Sequence, residues 1–216
     1  PDPIVVINGD QVVGIVRLRD LIRIAATEGQ LAASGRTRLT GLPTRTRADQ
    51  HMAEVIRMIA ACPDDAAAHH DVAFVDLRSF AEYNSRRGAA HGDHMLRELA
   101  DLISAVVLST VHDAFVAHLG DDRFVITARA GVLGARLAAL AAAFDQQRAE
   151  VAEEGNQPTL RGLFLPGALA VSKHPRDIYR AEQGLREKAR ERDSRLKIAG
   201  SYVLDASLVG ERRQAA

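Results

Sequence analysis

Two carboxylates in this sequence could share a cation. Asp76 ends the continuously apolar run Val72-Ala73-Phe74-Val75, and Asp122 sits in Gly120-Asp121-Asp122, between the β-rich runs Phe115-Val116-Ala117-His118-Leu119 and Phe124-Val125-Ile126-Thr127. If strand end and hairpin tip are neighbours in one sheet, both carboxylates lie at one edge. A hard dication such as magnesium takes that arrangement, with substrate phosphates completing the octahedron. Arg123 offers a competing use of the same carboxylates, its guanidinium standing where the cation would be. His91 and His94 flank Asp93, but without further ligands they read as a solvated helix start. Asn84 has the chemistry to cap a helix and Asp93 to begin the next one. The Arg-rich run from Arg186 to Arg195, interleaved with Glu187, Glu191 and Asp193, reads as a solvated helix face.

The elements that must position these groups follow from periodicity. Met52, Val55, Ile56 and Ile59 mark a helix after the turn chemistry of Gly41-Leu42-Pro43, and a loop over residues 61–70 precedes the Val72–Val75 strand. A helix through Phe80 and Tyr83 leads to a second with Leu96, Leu99, Ile103 and Val106 on one face. The Gly-Asp-Asp hairpin follows. Leu133, Leu137, Leu140 and Phe144 form a helix ended by Gly155-Asn156, and residues 160–171 read as a strand region broken by Pro166-Gly167. An amphipathic helix over residues 177–192 and a short strand at Ser201-Tyr202-Val203-Leu204 close the order β-α-α-β-β-α-β-α-β. The fold class is α+β, a mixed sheet with helices on its faces.

Length and composition bound the rest. The 216 residues suffice for one good core plus an appendage, not for two full-sized domains. A chain 47% hydrophobic and 26% charged is neither disordered nor a disulfide scaffold. Balanced charge, 28 basic against 28 acidic residues, gives no global attraction to nucleic acid or anionic membrane. Apolar tracts are interrupted before the roughly 18 residues that span a bilayer. The single cysteine, Cys62, fits a reducing cytoplasm. The opening Pro1-Asp2-Pro3 reads as the start of a piece of a longer polypeptide, with partner domains elsewhere.

Ile4-Val5-Val6-Ile7, Asn8-Gly9-Asp10 and Val12-Val13-Gly14-Ile15-Val16 form a hairpin signal leading into Leu21-Ile22-Arg23-Ile24 with helical spacing. This run resembles the closing half of a CBS motif, G-x-x-[ST]-x-x-D, with Gly14 and Asp20 matching and Arg17 at the hydroxyl's place; it reads as a structural remnant. The expected organisation is residues 1–28 CBS-like, 29–37 linker, 38–206 main domain and 207–216 tail.

Residues 38–205 resemble the GGDEF domains of bacterial diguanylate cyclases. Leu39-Thr40-Gly41-Leu42-Pro43 is similar to the opening L-T-G-L-x-N-R, with Thr37 where an acidic residue is usual. Residues 74–84 align without gaps on D-x-D-x-F-K-x-x-N, His91-Gly92-Asp93-His94-Met95-Leu96 on G-D-x-x-L, and Gly120-Asp121-Asp122-Arg123-Phe124 on the name-giving signature. The resemblance implies a cyclase-like, ferredoxin-like fold with helices around a mainly antiparallel sheet. It also implies a Mg2+ site at Asp76, the Leu77 carbonyl and Asp122, with Asn84 and Asp93 reading guanine. Guanine offers adjacent N1-H and N2-H donors, which one carboxylate can accept together. Phe80 and a basic residue of the last long helix, Arg190 or one near Ile178–Glu182, complete the implied substrate contacts.

The departures fall on the chemistry. Arg123 occupies the place of the glutamate that binds metal and helps activate the 3'-hydroxyl of one GTP; a guanidinium can do neither. Asp121 replaces the second glycine, and Ala81 the lysine. A product-inhibition R-x-x-D motif is absent, Val111-His112-Asp113-Ala114 filling that stretch. A one-residue register shift would recover both carboxylates, but it would turn Phe124 off its strand face. The expectation is a degenerate GGDEF domain, regulatory or guanine-nucleotide-binding, in bacterial cyclic dimeric GMP signalling, cytoplasmic, homodimeric or joined to in-chain signalling domains, without nucleic acid or membrane. The alternatives are an active diguanylate cyclase and a structural dimerisation module without ligand. Arg123 is further expected to pair with Asp76 or Asp122.

Overall fold

The computed structural model describes residues 4–9, 11–17, 19, 22–23, 34–63, 65, 69–150, 157–196 and 198–210. Asp20, Leu21 and Ile24 of the expected first helix, residues 29–33 of the linker, the Gly155-Asn156 stop and residues 211–216 of the tail lie outside them.

The first hairpin pairs β1 (Ile4–Asn8) with β2 (Gln11–Val16) antiparallel around Gly9, whose φ of +64° is the left-handed conformation such a turn needs. The main body begins with a turn over residues 36–43, closed by the Arg36–Pro43 bridge and the Thr37 N–H bond to the Leu42 carbonyl. The elements that follow are α1 (Arg45–Ala61), β3 (His70–Arg78), α2 (Phe80–Arg87) and α3 (Ala89–Ile103). Next come β4 (Phe115–Gly120), β5 (Arg123–Arg129), α4 (Leu133–Glu150), β6 (Thr159–Leu165), α5 (Ala168–Val171), α6 (Pro175–Leu196), β7 (Tyr202–Asp205) and α7 (Ala206–Gly210).

The five-stranded sheet runs β4-β5-β3-β6-β7, antiparallel except for the parallel β6–β7 pair. β3 lies at its centre, and its continuous apolar run is what a strand covered on both faces requires. Alternation along it divides the core. Ala73, Val75 and Leu77 face the layer of α2, α3 and α4 with Phe124 and Ile126, while Val72 and Phe74 face α1, α5 and α6 with Val125 and Leu163. The same alternation assigns Asp76, Arg123 and Arg161 to the α6 face, while Asp122 lies in the turn between β4 and β5.

Two local readings are corrected. Residues 168–171 are helical, because Pro166-Gly167, with Gly167 at φ +62°, ends β6 and starts a new element. Past Ile103 the helix widens into a π turn over Ser104–Leu108, where Val107 is fully buried and Val106 packs half-buried against the same core. Among the described residues no helix is long and apolar enough to cross a membrane.

Candidate functional site

A cleft of about 1260 Å³ opens where β3 and the β4–β5 hairpin end, between α2 and α6. Asp76, Leu77, Phe80, Asn84, Asp93 and Asp122 line it, together with Arg161, Arg186 and Arg190. Every residue predicted for the site except Arg123 is therefore in one cavity.

Asp76 is 2% exposed and its carboxylate is fully engaged. Arg161, its direct partner across the β3–β6 ladder, donates from Nε to Oδ1 at 3.0 Å and from Nη2 to Oδ2 at 2.9 Å. Arg186 of α6 adds a bond from Nη1 to Oδ2. This planar fork on a carboxylate is the strong form of charge-assisted hydrogen bond. Burial alone would lower the Arg161 pKa, but Asp76's hydrogen bonds and charge, with Tyr202 and Asp193, together outweigh it and hold the guanidinium above its ordinary value. Asp122 lies close by: the Leu77 N–H donates to its Oδ2 at 3.0 Å. Burial pushes this carboxyl above the usual range, with the Leu77 bond opposing the shift and the Asp76 charge reinforcing it.

Arg123 does not pair with either aspartate, which corrects the sequence expectation. Its Nη2 donates to Oε2 of Glu182 on α6 at 3.0 Å. The β3–β5 ladder stops at Val75 with Phe124, so Arg123 and Asp76 are the next neighbours on the α6 face. Arg161 and Arg186 already hold Asp76, whereas Glu182, 3% exposed, needs counter-charge, and Arg186 Nε supplies the rest at 2.6 Å. Phe124 is fully buried on the opposite face. Asp121 takes φ +50°, a left-handed turn conformation that glycine adopts more readily.

At the other end of the cleft, Asn84 packs its amide over the backbone of Gly92; a Cβ there would lie 1.9 Å from Asn84 Oδ1. That oxygen is buried and accepts no hydrogen bond, so Asn84 is not the helix cap its type suggested. Asp93 stands next to Gly92 in α3 with its side chain exposed. A buried acceptor without a donor costs about 1–3 kcal/mol unless a ligand or water meets it.

The α6 arginines are not all a solvated face. Arg186 is inside the cluster, Arg190 is exposed at the cleft, and Asp193 accepts from Arg78 at 3.0 Å and Arg161 at 3.3 Å. Arg78 also bonds Thr159 and the Ile198 and Gly200 carbonyls, tying the ends of β3, β6 and α6 together. His94 pairs with Glu98 at 3.5 Å, and among the described residues no group of three His, Cys, Asp or Glu is placed to hold a metal. Sequence reasoning missed Arg161 and Glu182. Their signals were a lone charge in the apolar strand Leu160–Leu165 and an acid in register with Ile178, Leu185 and Ala189 on α6.

A dication at Asp76 and Asp122 does not fit these residues. Both Asp76 oxygens are taken by guanidinium groups, and a 2+ ion beside them would meet repulsion of about 4 kcal/mol per unit-charge pair at ~4 Å and an effective dielectric near 20.

A mainly antiparallel five-stranded sheet with helices on both faces and a cleft at the strand ends is the architecture of GGDEF domains. The GGDEF domain of DgcB from Caulobacter crescentus, solved in complex with c-di-GMP, matches with a TM-score of 0.61 at 18% identity, over 80% of this chain and 96% of that one. The GGDEF domain of YfiN (TpbB) from Pseudomonas aeruginosa matches with a TM-score of 0.58 at 20% identity, over 84% and 99%. That of FimX, from the same organism, gives 0.55 at 19% identity, over 78% and 98%. The chain belongs to the GGDEF family: the family model described as "Diguanylate cyclase, GGDEF domain" matches residues 36–187, more than half of its length. No curated protein matches it in sequence.

Proposed function

We propose that this GGDEF domain is a catalytically silent, guanine-nucleotide-binding regulatory module of cytoplasmic c-di-GMP signalling. The observation that carries the reading is Asn84: a buried, unsatisfied acceptor at a cleft wall, beside Asp93, whose carboxylate can take both N1-H and N2-H of guanine. Catalytic silence is supported by Arg123, which occupies the place of the family's activating glutamate and is engaged with Glu182. The 3'-hydroxyl of a bound GTP would find no carboxylate base at that position. Titration of the purified protein with GTP and ATP tests the reading. GTP binds and ATP does not, Asp93→Ala weakens GTP by about tenfold or more, equivalent to about 1.4 kcal/mol, and incubation with GTP and Mg2+ or Mn2+ yields no cyclic dimeric GMP. Equal affinity for the two nucleotides removes the guanine site; steady product formation lost in Asp122→Asn removes the silence.

A further inference from the structure

The base-reading end of the cleft leaves an acceptor unsatisfied, and the opposite end is furnished with positive charge held in place. Arg161 is fixed by three constraints: its ladder position opposite Asp76, the fork onto both Asp76 oxygens and the Nη1 contact with Asp193. Those contacts use three of its five N–H donors, and the residue lines the cleft. Arg186 is held between Asp76 and Glu182 and lines the same wall, with Arg190 one helical turn beyond and exposed. Three guanidinium groups thus border the region that Asp76 and Asp122 would offer to a dication.

We infer that the Asp76–Arg161–Arg186 cluster is a built-in replacement for the divalent cation, so that the phosphates of a guanine nucleotide are held by Arg161, Arg186 and Arg190 and binding needs no metal. The inference rests on reading the cleft as a guanine-nucleotide site. Its chemistry is that of arginine with phosphate: planar N–H forks matched to pairs of phosphate oxygens, always charged, and indifferent to chelators. Asp76 then serves to position the two arginines.

The test is GTP titration of the intact chain in EDTA and in excess Mg2+, together with electron paramagnetic resonance of Mn2+ added without nucleotide. The expected result is a GTP dissociation constant that differs by less than about threefold, under 1 kcal/mol, between the two conditions, and a Mn2+ spectrum of the free ion only. In Arg161→Ser, GTP affinity in EDTA falls by about tenfold or more and Mg2+ restores part of it. GTP binding to the unaltered protein that requires Mg2+, or Mn2+ bound at the resting site, overturns the inference and leaves the guanine reading intact. Absence of GTP binding in both conditions overturns both. The unaltered protein decides these outcomes even where Arg161→Ser does not fold.

Discussion

Arg161 and Asp76 face each other across the β3–β6 ladder, and the guanidinium grips both carboxylate oxygens at 3.0 and 2.9 Å in a setting where neither residue is more than 8% exposed. Two charges removed from water together are tolerable; one left alone is not. Arg161→Leu is therefore expected to lower stability by about 3 kcal/mol, read from the urea midpoint. In the double variant Asp76→Leu, Arg161→Leu the costs do not add, and a coupling of at least about 1 kcal/mol appears. A single-variant loss below that coupling would show that Arg186 alone satisfies Asp76.

Arg123 and Glu182 form the neighbouring pair, at 3.0 Å, with Arg123 the more exposed partner. Because Arg186 also holds Glu182, Arg123→Ala is expected to cost only about 1 kcal/mol. Arg123→Glu places a second carboxylate against a buried one and should cost several times more. Restoring the family's residue type in this way therefore yields a less stable protein rather than a metal site. Thermal unfolding of both variants with and without Mn2+ checks this; a Mn2+-stabilised Arg123→Glu variant would refute it.

Much of this architecture was legible in the sequence because it rests on period and spacing. The β3 run Val72–Val75, the hairpin around Asp122 and the helical face of Leu133, Leu137, Leu140 and Phe144 all stand where their patterns put them. Asp76, Asn84, Asp93 and Asp122 do meet in one cleft. The electrostatics was not legible, because pairing depends on which cations compete for each buried carboxylate. Arg123 precedes the ladder pair with Val75 and looked like Asp76's natural partner; only the strand pairing β3–β6 and the packing of α6 bring Arg161 and Arg186 there first. The π turn at Ser104–Leu108 was equally hidden, since Ile103 and Val106 fit an unbroken α-helical face.

Gly92 underlies the end of the cleft proposed to read the base. An alanine within a helix normally stabilises by up to about 1 kcal/mol over glycine. Here its Cβ would fall 1.9 Å from Asn84 Oδ1, so the amide must swing away. The expected outcome of Gly92→Ala is loss of guanine-nucleotide binding by about tenfold or more with a small change in melting temperature, separable by titration and calorimetry. Undiminished GTP binding would mean that Asn84 does not contact the base.

The last prediction lies away from the cleft, at His51 on α1. Its ring stacks on Phe115 with centroids 4.1 Å apart, and Nε2 lies 2.9 Å from the Thr127 hydroxyl. Burial, with the neighbouring His70 of β3, holds its pKa below the ordinary 6.5, and Glu54 on its own helix opposes the shift only in part. The unfolded chain then takes up a proton near pH 6.5 that the folded chain refuses until lower pH. Linkage fixes the sign: stability is unaffected above that value and falls as pH drops from 6.5 toward the folded-state pKa, by up to about 1.4 kcal/mol per pH unit in that window. His51→Gln keeps a polar partner for Thr127 and removes the titration. Urea midpoints followed from pH 7.5 to about 5 should therefore decline less steeply in the variant than in the unaltered chain. Parallel declines would show that His51 is protonated in the fold as readily as in the unfolded chain.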